Sequence, residues 1–424
     1  MSASGTAFRI THDLVAQFLA SNGYKETLEK FYEEGGDFAT ITRDLAHIQN
    51  GADKPLVEIV TEYYLHEKKG PVADNRKEEL TFSDHAKFSI EKVESLKVHD
   101  TLHTGNIICV KSFDIPVVSD EGRVMVTSST DKSIKISSLQ SGMFLMAPVY
   151  PHDGGAILSF DVHPLHPHLL LTSSMDFSVA LTNLETNTRI SVWNHHKKFV
   201  VHAKFAPDGS SFISACYDHS LVVYTATSEP HDFSPARTFE FDGNVEAACF
   251  SPDSKWVIVG VRDDNYLHYI DLKTFEVIKF NMNANGDNIV SFTVMDLAVS
   301  PSGTHVLATT DHRSGRVILF KMSSNVICRD YYGVPQDEFS TPKLCWHPSG
   351  RVFFVTGDDF KIHVFDTATC AKLGELSGHT GVIRTLWYDV PSASLLSGSF
   401  DRTIRHWGSK DKETAAKSII RRLF

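Results

Sequence analysis

The chain has 424 residues, enough for two or three domains, and its hydrophobic fraction of 42% and charged fraction of 22% are ordinary for a globular protein. Its formal net charge of −11 argues against a general nucleic-acid-binding protein. The sequence has no apolar run of 18 residues, no leader-like start and no CxxC pair among its six cysteines. We therefore expect an intracellular protein, nuclear or cytoplasmic, that is not inserted in a membrane.

Residues 1–36 have the apolar spacing of two short helices, each followed by glycine. Leu14, Phe18 and Leu19 share one face of the first helix, and Leu28 and Phe31 share one face of the second. Two helices of about ten residues are marginally stable alone. Their apolar faces therefore need another surface, either a second copy of the chain or the remainder of the same chain.

This hairpin resembles the LisH motif. The resemblance rests on Leu14, Phe18, Leu19, Gly23, Tyr24, Thr27, Leu28, Phe31 and Glu34. LisH motifs homodimerise as a four-helix unit, so the resemblance implies an α-helical dimerisation module. The implied contact residues are Leu14, Phe18, Leu19, Tyr24, Leu28 and Phe31.

Residues 37–70 continue with helical spacing, with Pro55 at a first helical position and an apolar stripe that runs from Leu56 to Tyr64. Three roles fit this extension: it packs on the preceding hairpin, it enlarges the dimer interface, or it is similar to the helical segment that follows LisH in ubiquitin-ligase subunits. Residues 71–87 are polar and indicate a linker.

From residue 88 the sequence repeats. An acidic residue is followed by apolar residues three and five places later and by a bulky residue at six, with spacings of 45, 42, 46, 50, 45 and 42 residues. The anchors of six repeats are Asp131, Asp176, Asp218, Asp264, Asp359 and Asp401, and the fifth repeat has Ser314 where the Asp is expected. A period of this length is typical of propellers and solenoids. The Asp side chain is expected to accept backbone N–H groups at a tight turn.

A proline turn precedes every anchor and sets the same register. The seven prolines are Pro116, Pro164, Pro207, Pro252, Pro301, Pro348 and Pro391. In five repeats the residues two and four before the proline are apolar, which predicts a strand with one buried face. Each unit therefore reads as a strand, a proline turn, a second strand, an Asp turn and a third strand.

The last unit, which ends at Trp407, resembles a WD repeat, the four-stranded blade of a β-propeller. The resemblance implies a mainly β, seven-bladed propeller over residues 88–408 and a hydrogen-bonded tetrad of His379, Ser397 or Ser399, Asp401 and Trp407. The other repeats replace the Trp by Ser137, Thr182, Tyr224, Ile270, Phe320 and Phe365. Residues 88–98 are expected to complete the last blade and close the ring.

The sequence predicts no catalytic residue, cofactor or metal site, since it contains none of the usual phosphate-loop, nucleophile-elbow or zinc-protease motifs. His163, His166 and His168 are separated by prolines in a turn, where ligand geometry is not fixed. Residues 195–198 are expected to be a solvated loop. One member of each acidic pair, Asp263–Asp264 and Asp358–Asp359, is the turn residue of its repeat.

The combination is similar to LisH propellers that regulate dynein, serve in transducin-β-like corepressors, accompany splicing factors or belong to the Gid/CTLH ubiquitin ligase. It implies a non-enzymatic homodimeric scaffold that binds other proteins or peptides through propeller loops. The alternative is a ubiquitin-ligase subunit or substrate receptor, Gid/CTLH-like or cullin-RING type, for which residues 404–410 and 267–273 match an adaptor box in part. Residues 409–424 are expected to form a basic tail, either frayed or docked as a short helix.

Overall fold

The computed structural model describes residues 93–119, 122–227, 231–283, 286–337 and 339–409. The predicted LisH hairpin at residues 1–36, the helical extension at 37–70, the linker at 71–87 and the tail beyond Ser409 lie outside the described residues. Within the described ranges, no helix is both long enough and apolar enough to span a bilayer.

The described residues form 27 strands. Strands β1 to β9 are Val93–His99, Ile107–Phe113, Val124–Ser129, Ile134–Ser138, Ile157–Val162, Leu169–Ser174, Val179–Asn183, Thr188–Trp193 and Val200–Phe205. Strands β10 to β18 are Ser211–Cys216, Ser220–Ala226, Phe233–Glu240, Val245–Phe250, Trp256–Val261, Tyr266–Asp271, Val277–Asn281, Val294–Val299 and His305–Thr310. Strands β19 to β27 are Val317–Lys321, Ile327–Tyr331, Leu344–Trp346, Val352–Thr356, Ile362–Asp366, Lys372–Leu376, Ile383–Asp389, Ser394–Ser399 and Ile404–Ser409.

These strands form seven antiparallel sheets, the blades. Blade 1 contains β2 to β4, and blades 2 to 6 take the following strands in groups of four, ending at β24. Blade 7 has the order β1-β27-β26-β25. The inner strands β2, β5, β9, β13, β17, β21 and β25 each contact the next, and β25 contacts β2, so the ring closes. The predicted seven-bladed β-propeller is confirmed.

The first and last segments of the propeller share one sheet. Strand β1 pairs antiparallel with β27, from Val93 opposite Ser409 to His99 opposite Ile404, with an irregularity between Ser95 and Lys97. This is the closing strand that the sequence predicted at residues 88–98, with its observed end one residue later. The pairing covers the outer edge of β27, which would otherwise present unpaired backbone groups to other chains.

Blade 1 has a less regular outer segment than the other blades. Two isolated bridges, Ile134 with Val149 and Ser137 with Phe144, replace a fourth strand there. Pro148 lies between these bridges and has no N–H to donate, which interrupts a hydrogen-bonded ladder. Pro148, which is not one of the seven turn prolines of the repeat, therefore explains why this sheet has three strands.

The apolar core lies between neighbouring blades. One buried cluster joins blades 2 and 3, and within it the rings of Phe212 and Tyr224 stack with centroids 4.3 Å apart. Phe353 and Phe365 stack in the same way in blade 6, at 5.4 Å. Tyr224 and Phe365 occupy the repeat position of Trp407 and are fully buried. Large rings at this position therefore fill the space between sheets in the absence of tryptophan.

Candidate functional site

Two sets of loops lie at the same end of the propeller, because adjacent strands of each blade are antiparallel. One set is the turns between second and third strands, and the other is the loops that lead into the inner strands. We call this end the Asp-turn face and the opposite end, with the proline turns, the proline-turn face. The Asp turns are residues 130–133, 175–178, 217–219, 262–265, 311–316, 357–361 and 400–403.

Six anchor carboxylates organise these turns in the same way. Each accepts a hydrogen bond from the backbone N–H two residues later. The donor–acceptor distances are 3.1 Å for Asp131, 3.1 Å for Asp176, 3.1 Å for Asp218, 3.0 Å for Asp264, 3.3 Å for Asp359 and 2.9 Å for Asp401. The residue after the Asp has a positive φ in five of these turns, at Lys132, Phe177, His219, Phe360 and Arg402. The carboxylate thus stabilises a turn in which a non-glycine residue adopts the left-handed backbone conformation, which is otherwise unfavourable.

Blade 7 joins four side chains, which come from the loop before β25, from β26, from the Asp turn and from β27. The Nδ1 atom of His379 donates to Asp401 (2.8 Å), and its Nε2 atom lies 2.7 Å from the Ser397 hydroxyl. Trp407 Nε1 donates to the same hydroxyl at 2.8 Å. Of the two serines that the sequence left open, Ser397 is the one in this network, whereas Ser399 donates to the carbonyl of Gly381.

Blades 1 to 3 contain similar networks that sequence reasoning missed. A buried histidine from the loop before the inner strand reaches the Asp turn through Nδ1 and a second-strand hydroxyl through Nε2. The contacts are His103 with Asp131 (2.8 Å) and Thr127 (2.8 Å), His152 with Ser178 (2.7 Å) and Thr172 (2.9 Å), and His196 with Ser220 (3.0 Å) and Ser214 (2.7 Å). The expectation of a solvated loop at residues 195–198 is therefore wrong for His196, which is buried among these partners.

Blades 4 and 6 supply the imidazole from a different place. His268 and His363 stand on the third strand, four residues after the anchor, and contact Asp264 at 2.7 Å and Asp359 at 3.0 Å. These two anchors belong to the acidic pairs of the sequence, and the structure places each in a turn. These two blades therefore also have an imidazole beside the turn carboxylate, although the histidine comes from the third strand and not from the loop before the inner strand.

Blade 5 has a longer turn and no carboxylate at its anchor. The Ser314 hydroxyl is exposed and contacts His312 Nδ1 at 2.7 Å. Asp311, three residues earlier, accepts the N–H of Thr293 at 2.7 Å, as Asp401 accepts that of Thr380 at 2.9 Å in blade 7. Asp311 therefore links the turn to the loop before the inner strand, and the two extra residues of this turn hid it from the repeat pattern.

These networks fix protonation states. Burial raises the pKa of Asp401, but hydrogen bonds from Thr380, Thr403 and His379 outweigh burial and lower it to about 2. The pKa of Asp218 is also lowered to about 2, against the effect of burial, by bonds from Ser220 and Lys197. Burial lowers the pKa of His379, despite the opposing contact with Asp401. The imidazole is therefore neutral and the carboxylate charged at neutral pH, an arrangement that stabilises a turn.

Two groups of three possible metal ligands occur among the described residues. They are His196 with Cys216 and Asp218, and Asp359 with His363 and Glu375. In the first group, burial raises the pKa of the Cys216 thiol to about 12, whereas a thiol binds metal as thiolate. In the second group, Glu375 pairs with the ammonium of Lys361. Hydrogen bonds within the propeller therefore account for both groups.

His163, one of the three histidines of the predicted turn, behaves as a structural side chain. Burial lowers the pKa of His163 to about 4. Its Nδ1 atom accepts the N–H groups of Leu165 and His166, both at 3.1 Å. The Nδ1 atom of His163 is therefore already engaged by two hydrogen bonds within its own loop.

Exposed aromatic side chains gather on the Asp-turn face. Among the described residues six phenylalanines are exposed, and five of them lie in loops of this face: Phe177, Phe199, Phe339, Phe360 and Phe400. Phe339 is the most open, with 82% of its surface exposed. The rings of Phe177 and Phe199 lie 5.9 Å apart and connect blades 2 and 3. This face therefore presents aromatic surface that the described residues leave exposed.

The axis of the propeller contains a cavity of about 150 Å³ that is lined by residues of all seven blades. Six inner strands begin with a β-bulge, and the residue that the bulge leaves unpaired lines this cavity. These residues are Ile108, Leu158, Val201, Glu246, Met295 and Arg384. Blade 6 contributes Lys343, immediately before its inner strand. Since inner strands begin at the Asp-turn face, these residues form the mouth of the channel at that face.

Comparison with known proteins agrees with this architecture. Residues 187–225, 233–271, 343–366 and 370–408 match the WD40 family, described as WD domain, G-beta repeat. Four segments of the seven-bladed β-propeller therefore match WD40 repeats.

Three relatives have low identity. The chain is 23% identical over 282 residues to the serine-threonine kinase receptor-associated protein of Dictyostelium discoideum, covering 59% of this chain and 94% of that protein. It is 23% identical over 236 residues to the protein of that name from Gallus gallus, covering 56% and 62%. It is 22% identical over 263 residues to transducin beta-like protein 3 of Rattus norvegicus, covering 58% of this chain and 30% of that protein.

Proposed function

Because the protein is a seven-bladed propeller with WD40 repeats, we propose that it is a non-enzymatic scaffold that binds other proteins on its Asp-turn face. The observation that carries this proposal is the placement of five of the six exposed phenylalanines of the described residues in the loops of that face. Exposed aromatic rings are unfavourable in water, and aromatic residues are enriched at protein interfaces.

The opposite face differs in composition. Its proline turns expose aliphatic side chains, namely Val117, Leu165 and Val390, and no phenylalanine among the described residues. Scattered aliphatic residues are common on protein surfaces, whereas aromatic anchors contribute most to binding energy. The Asp-turn face is therefore the better candidate for a specific interface.

The proposal includes a homodimer formed by residues 1–36, through Leu14, Phe18, Leu28 and Phe31 with Leu19 and Tyr24. It rests on the helical spacing and apolar faces of that segment. Two propellers on one dimer would raise avidity for a repeated or dimeric partner by effective concentration, without new contacts. An intracellular location, nuclear or cytoplasmic, stays part of this proposal.

The ubiquitin-ligase alternative stays a prediction. Its partial adaptor box at residues 404–410 depends on Trp407, which is 3% exposed and donates its indole N–H to Ser397. This side chain is therefore committed to the blade and does not favour a ligase adaptor over a general scaffold.

Quantitative affinity purification from the source cells tests the proposal. Phe177→Asp combined with Phe339→Asp should deplete the partners that the wild-type chain captures. The matched control, Val117→Asp combined with Leu165→Asp, places the same charges on the proline-turn face and should retain those partners. Equal retention by both double variants, each folded by circular dichroism, would contradict binding on the Asp-turn face.

A further inference from the structure

Four cationic side chains converge on the axial cavity. Lys111, Lys204, Lys343 and Arg384 come from blades 1, 3, 6 and 7, which are far apart in sequence but border the same channel. Lys111 is paired with Asp161, with a distance of 2.9 Å between Nζ and Oδ1. The other three cationic side chains differ in how closely a carboxylate approaches them, and the poorly paired ones define a candidate anion site.

Lys204 and Arg384 have no carboxylate within ion-pair distance among the described residues. Lys204 Nζ donates to the carbonyl of Ala248 at 2.8 Å. The Nε atom of Arg384 is buried and has no hydrogen-bond partner in the described part of the chain. Lys343 lies 3.9 Å from Asp296, at the limit of an ion pair. A buried donor without an acceptor is unfavourable, so the site is incomplete as it stands.

The carboxylates near the mouth are already engaged by other donors. Glu246 accepts the Tyr217 hydroxyl at 2.9 Å and Arg262 Nε at 2.7 Å. Asp296 accepts the backbone N–H of Leu344 at 3.0 Å. These acids are held on the wall of the channel, outside ion-pair distance of Arg384 and Lys204 among the described residues. Burial lowers the pKa of Arg384, and the nearby Asp296 and Glu246 oppose this effect, so its guanidinium is only partly neutralised.

The protonation behaviour of neighbouring groups agrees with a positive channel. Burial lowers the pKa of Lys343, and the charges of Arg384 and Lys204 lower it further, although Asp296 opposes them. Burial also holds the pKa of His202 well below its ordinary value, with Lys204, Lys343 and Lys111 acting in the same direction. An anion placed among these groups would relieve their mutual repulsion.

The surroundings of the cations indicate what carries the anion. The Arg384 guanidinium lies 5.9 Å from the ring centroid of Phe400, one of the exposed phenylalanines. On the side of blades 1 to 3, the mouth is apolar, formed by Ile108, Leu158 and Val201. A free inorganic ion would leave this apolar surface unused, whereas a peptide can place an anionic group on the cations and apolar neighbours on the rim.

We propose that the channel mouth binds an anionic group, a carboxylate or a phosphate, carried by a peptide segment of the protein partner, with Arg384, Lys343 and Lys204 as its donors. This inference rests on the proposed function and names the chemistry of the partner. The cavity of about 150 Å³ has room for such a group, since one water needs only about 10–15 Å³ of comparable space. The rings of the Asp-turn face then contact the flanking residues of the peptide.

Fluorescence anisotropy with the full chain and labelled heptapeptide pools tests the inference. The pools have degenerate flanks and a fixed central glutamate, phosphoserine or glutamine. We expect the glutamate or the phosphoserine pool to bind about tenfold more tightly than the glutamine pool. The better of the two identifies the source of the anion. Equal binding of all three pools to the wild-type protein would overturn the inference.

Variants locate the site. Arg384→Gln combined with Lys343→Gln should abolish the preference, Arg384→Lys should retain most of it, and Lys197→Gln, an exposed charge on the same face, should leave it unchanged. Persistence of the preference in the folded double variant would refute the assignment to the channel.

If the double variant does not fold, competition on the wild-type protein decides. Inorganic phosphate should displace the anionic pool and not the glutamine pool, and failure to displace it counts against the site. The two proposals can fail independently. If the phenylalanine variants lose their partners and the protein shows no preference for the anionic peptides, the proposed scaffold function stands and the anion site is rejected. Unchanged partner capture by those variants would reject the Asp-turn face as the binding surface.

Discussion

Replacing Asp401 by alanine removes the acceptor at the centre of the blade 7 network. The carboxylate is 7% exposed and accepts the N–H groups of Thr380 and Thr403 (both 2.9 Å), the Thr403 hydroxyl (2.7 Å) and His379 Nδ1 (2.8 Å). Thr380 is exposed, so water can replace its bond, but the donors of Thr403 and His379 lose their partner. Each such loss costs about 1–3 kcal/mol, so the losses at these two residues together predict a destabilisation of about 2–6 kcal/mol.

The pKa of Asp401 supports the same magnitude. A pKa lowered from 3.8 to about 2 corresponds to about 2 kcal/mol of preference for the ionised form. Asp401→Asn, which keeps one acceptor oxygen but loses the charge, should therefore fall between the wild-type protein and Asp401→Ala. The matched control is Ser314→Ala, at the equivalent repeat position, because that hydroxyl is exposed and its hydrogen-bond partner in the described part of the chain is His312. It should change stability by less than about 0.5 kcal/mol.

Urea unfolding followed by tryptophan fluorescence measures these differences. A change in the midpoint at constant slope reports stability, provided that the slope is the same for all variants. Equal shifts for Asp401→Ala and Ser314→Ala would refute the role assigned to the turn carboxylates.

Three further predictions concern the dimer, the pH dependence and the packing between blades. Phe18→Asp with Phe31→Asp should give a monomer by light scattering, and a wild-type chain that is monomeric at micromolar concentration would reject the dimer. Because the folded pKa of Asp218, about 2, lies below the unfolded value, its contribution to stability should be complete above about pH 4 and disappear as the pH falls toward 2. In Asp218→Asn, the urea midpoint should depend less on pH across this window than it does in the wild-type protein. The same pH dependence in both proteins would contradict the link between this pKa and stability. Gly398→Ala should destabilise the protein by about 1–3 kcal/mol, since a Cβ there would lie 2.6 Å from Ile107. Gly154→Ala, where a Cβ would meet open space, should have little effect. Equal urea midpoints of the two variants would disprove this close packing.

The sequence predicted the propeller well because its defining features are local. A proline turn and an Asp turn each depend on a few adjacent residues, and their recurrence at 42 to 50 residues determines the number of blades. The closing strand was predictable for a related reason, since an unpaired edge on the last sheet requires a partner. Strand β1 supplies that partner with a shift of one residue at its end.

The hydrogen-bond networks were less predictable, because their members are separated in sequence. His103 and His196 precede their Asp partners by 28 and 22 residues, and His379 precedes its partner by 22. This spacing was present in the sequence and could have identified the first two. In blades 4 and 6 the same contact comes from the third strand, and in blade 5 Asp311 lies outside the repeat register, so a spacing rule alone would not find them.

The charged channel mouth could not be predicted from the sequence. Lys204 and Arg384 lie on two inner strands and Lys343 lies immediately before a third, and nothing in their local patterns distinguishes them from ordinary exposed charges. Only the closure of the ring brings them together. The β-bulges that aim Arg384 and Glu246 at the axis are likewise a property of paired strands and not of a single strand.

Hydrogen exchange of the free protein and of its purified native complex tests most directly the claim that the Asp-turn face is the binding surface. We expect protection on binding in peptides from the loops of that face, including residues 175–178, 286–293, 339–343 and 400–403. We expect no change in the proline turns near Val117, Leu165 and Val390. Protection confined to the proline turns or to the outer strands, with the Asp-turn loops unchanged, would show that partners bind elsewhere.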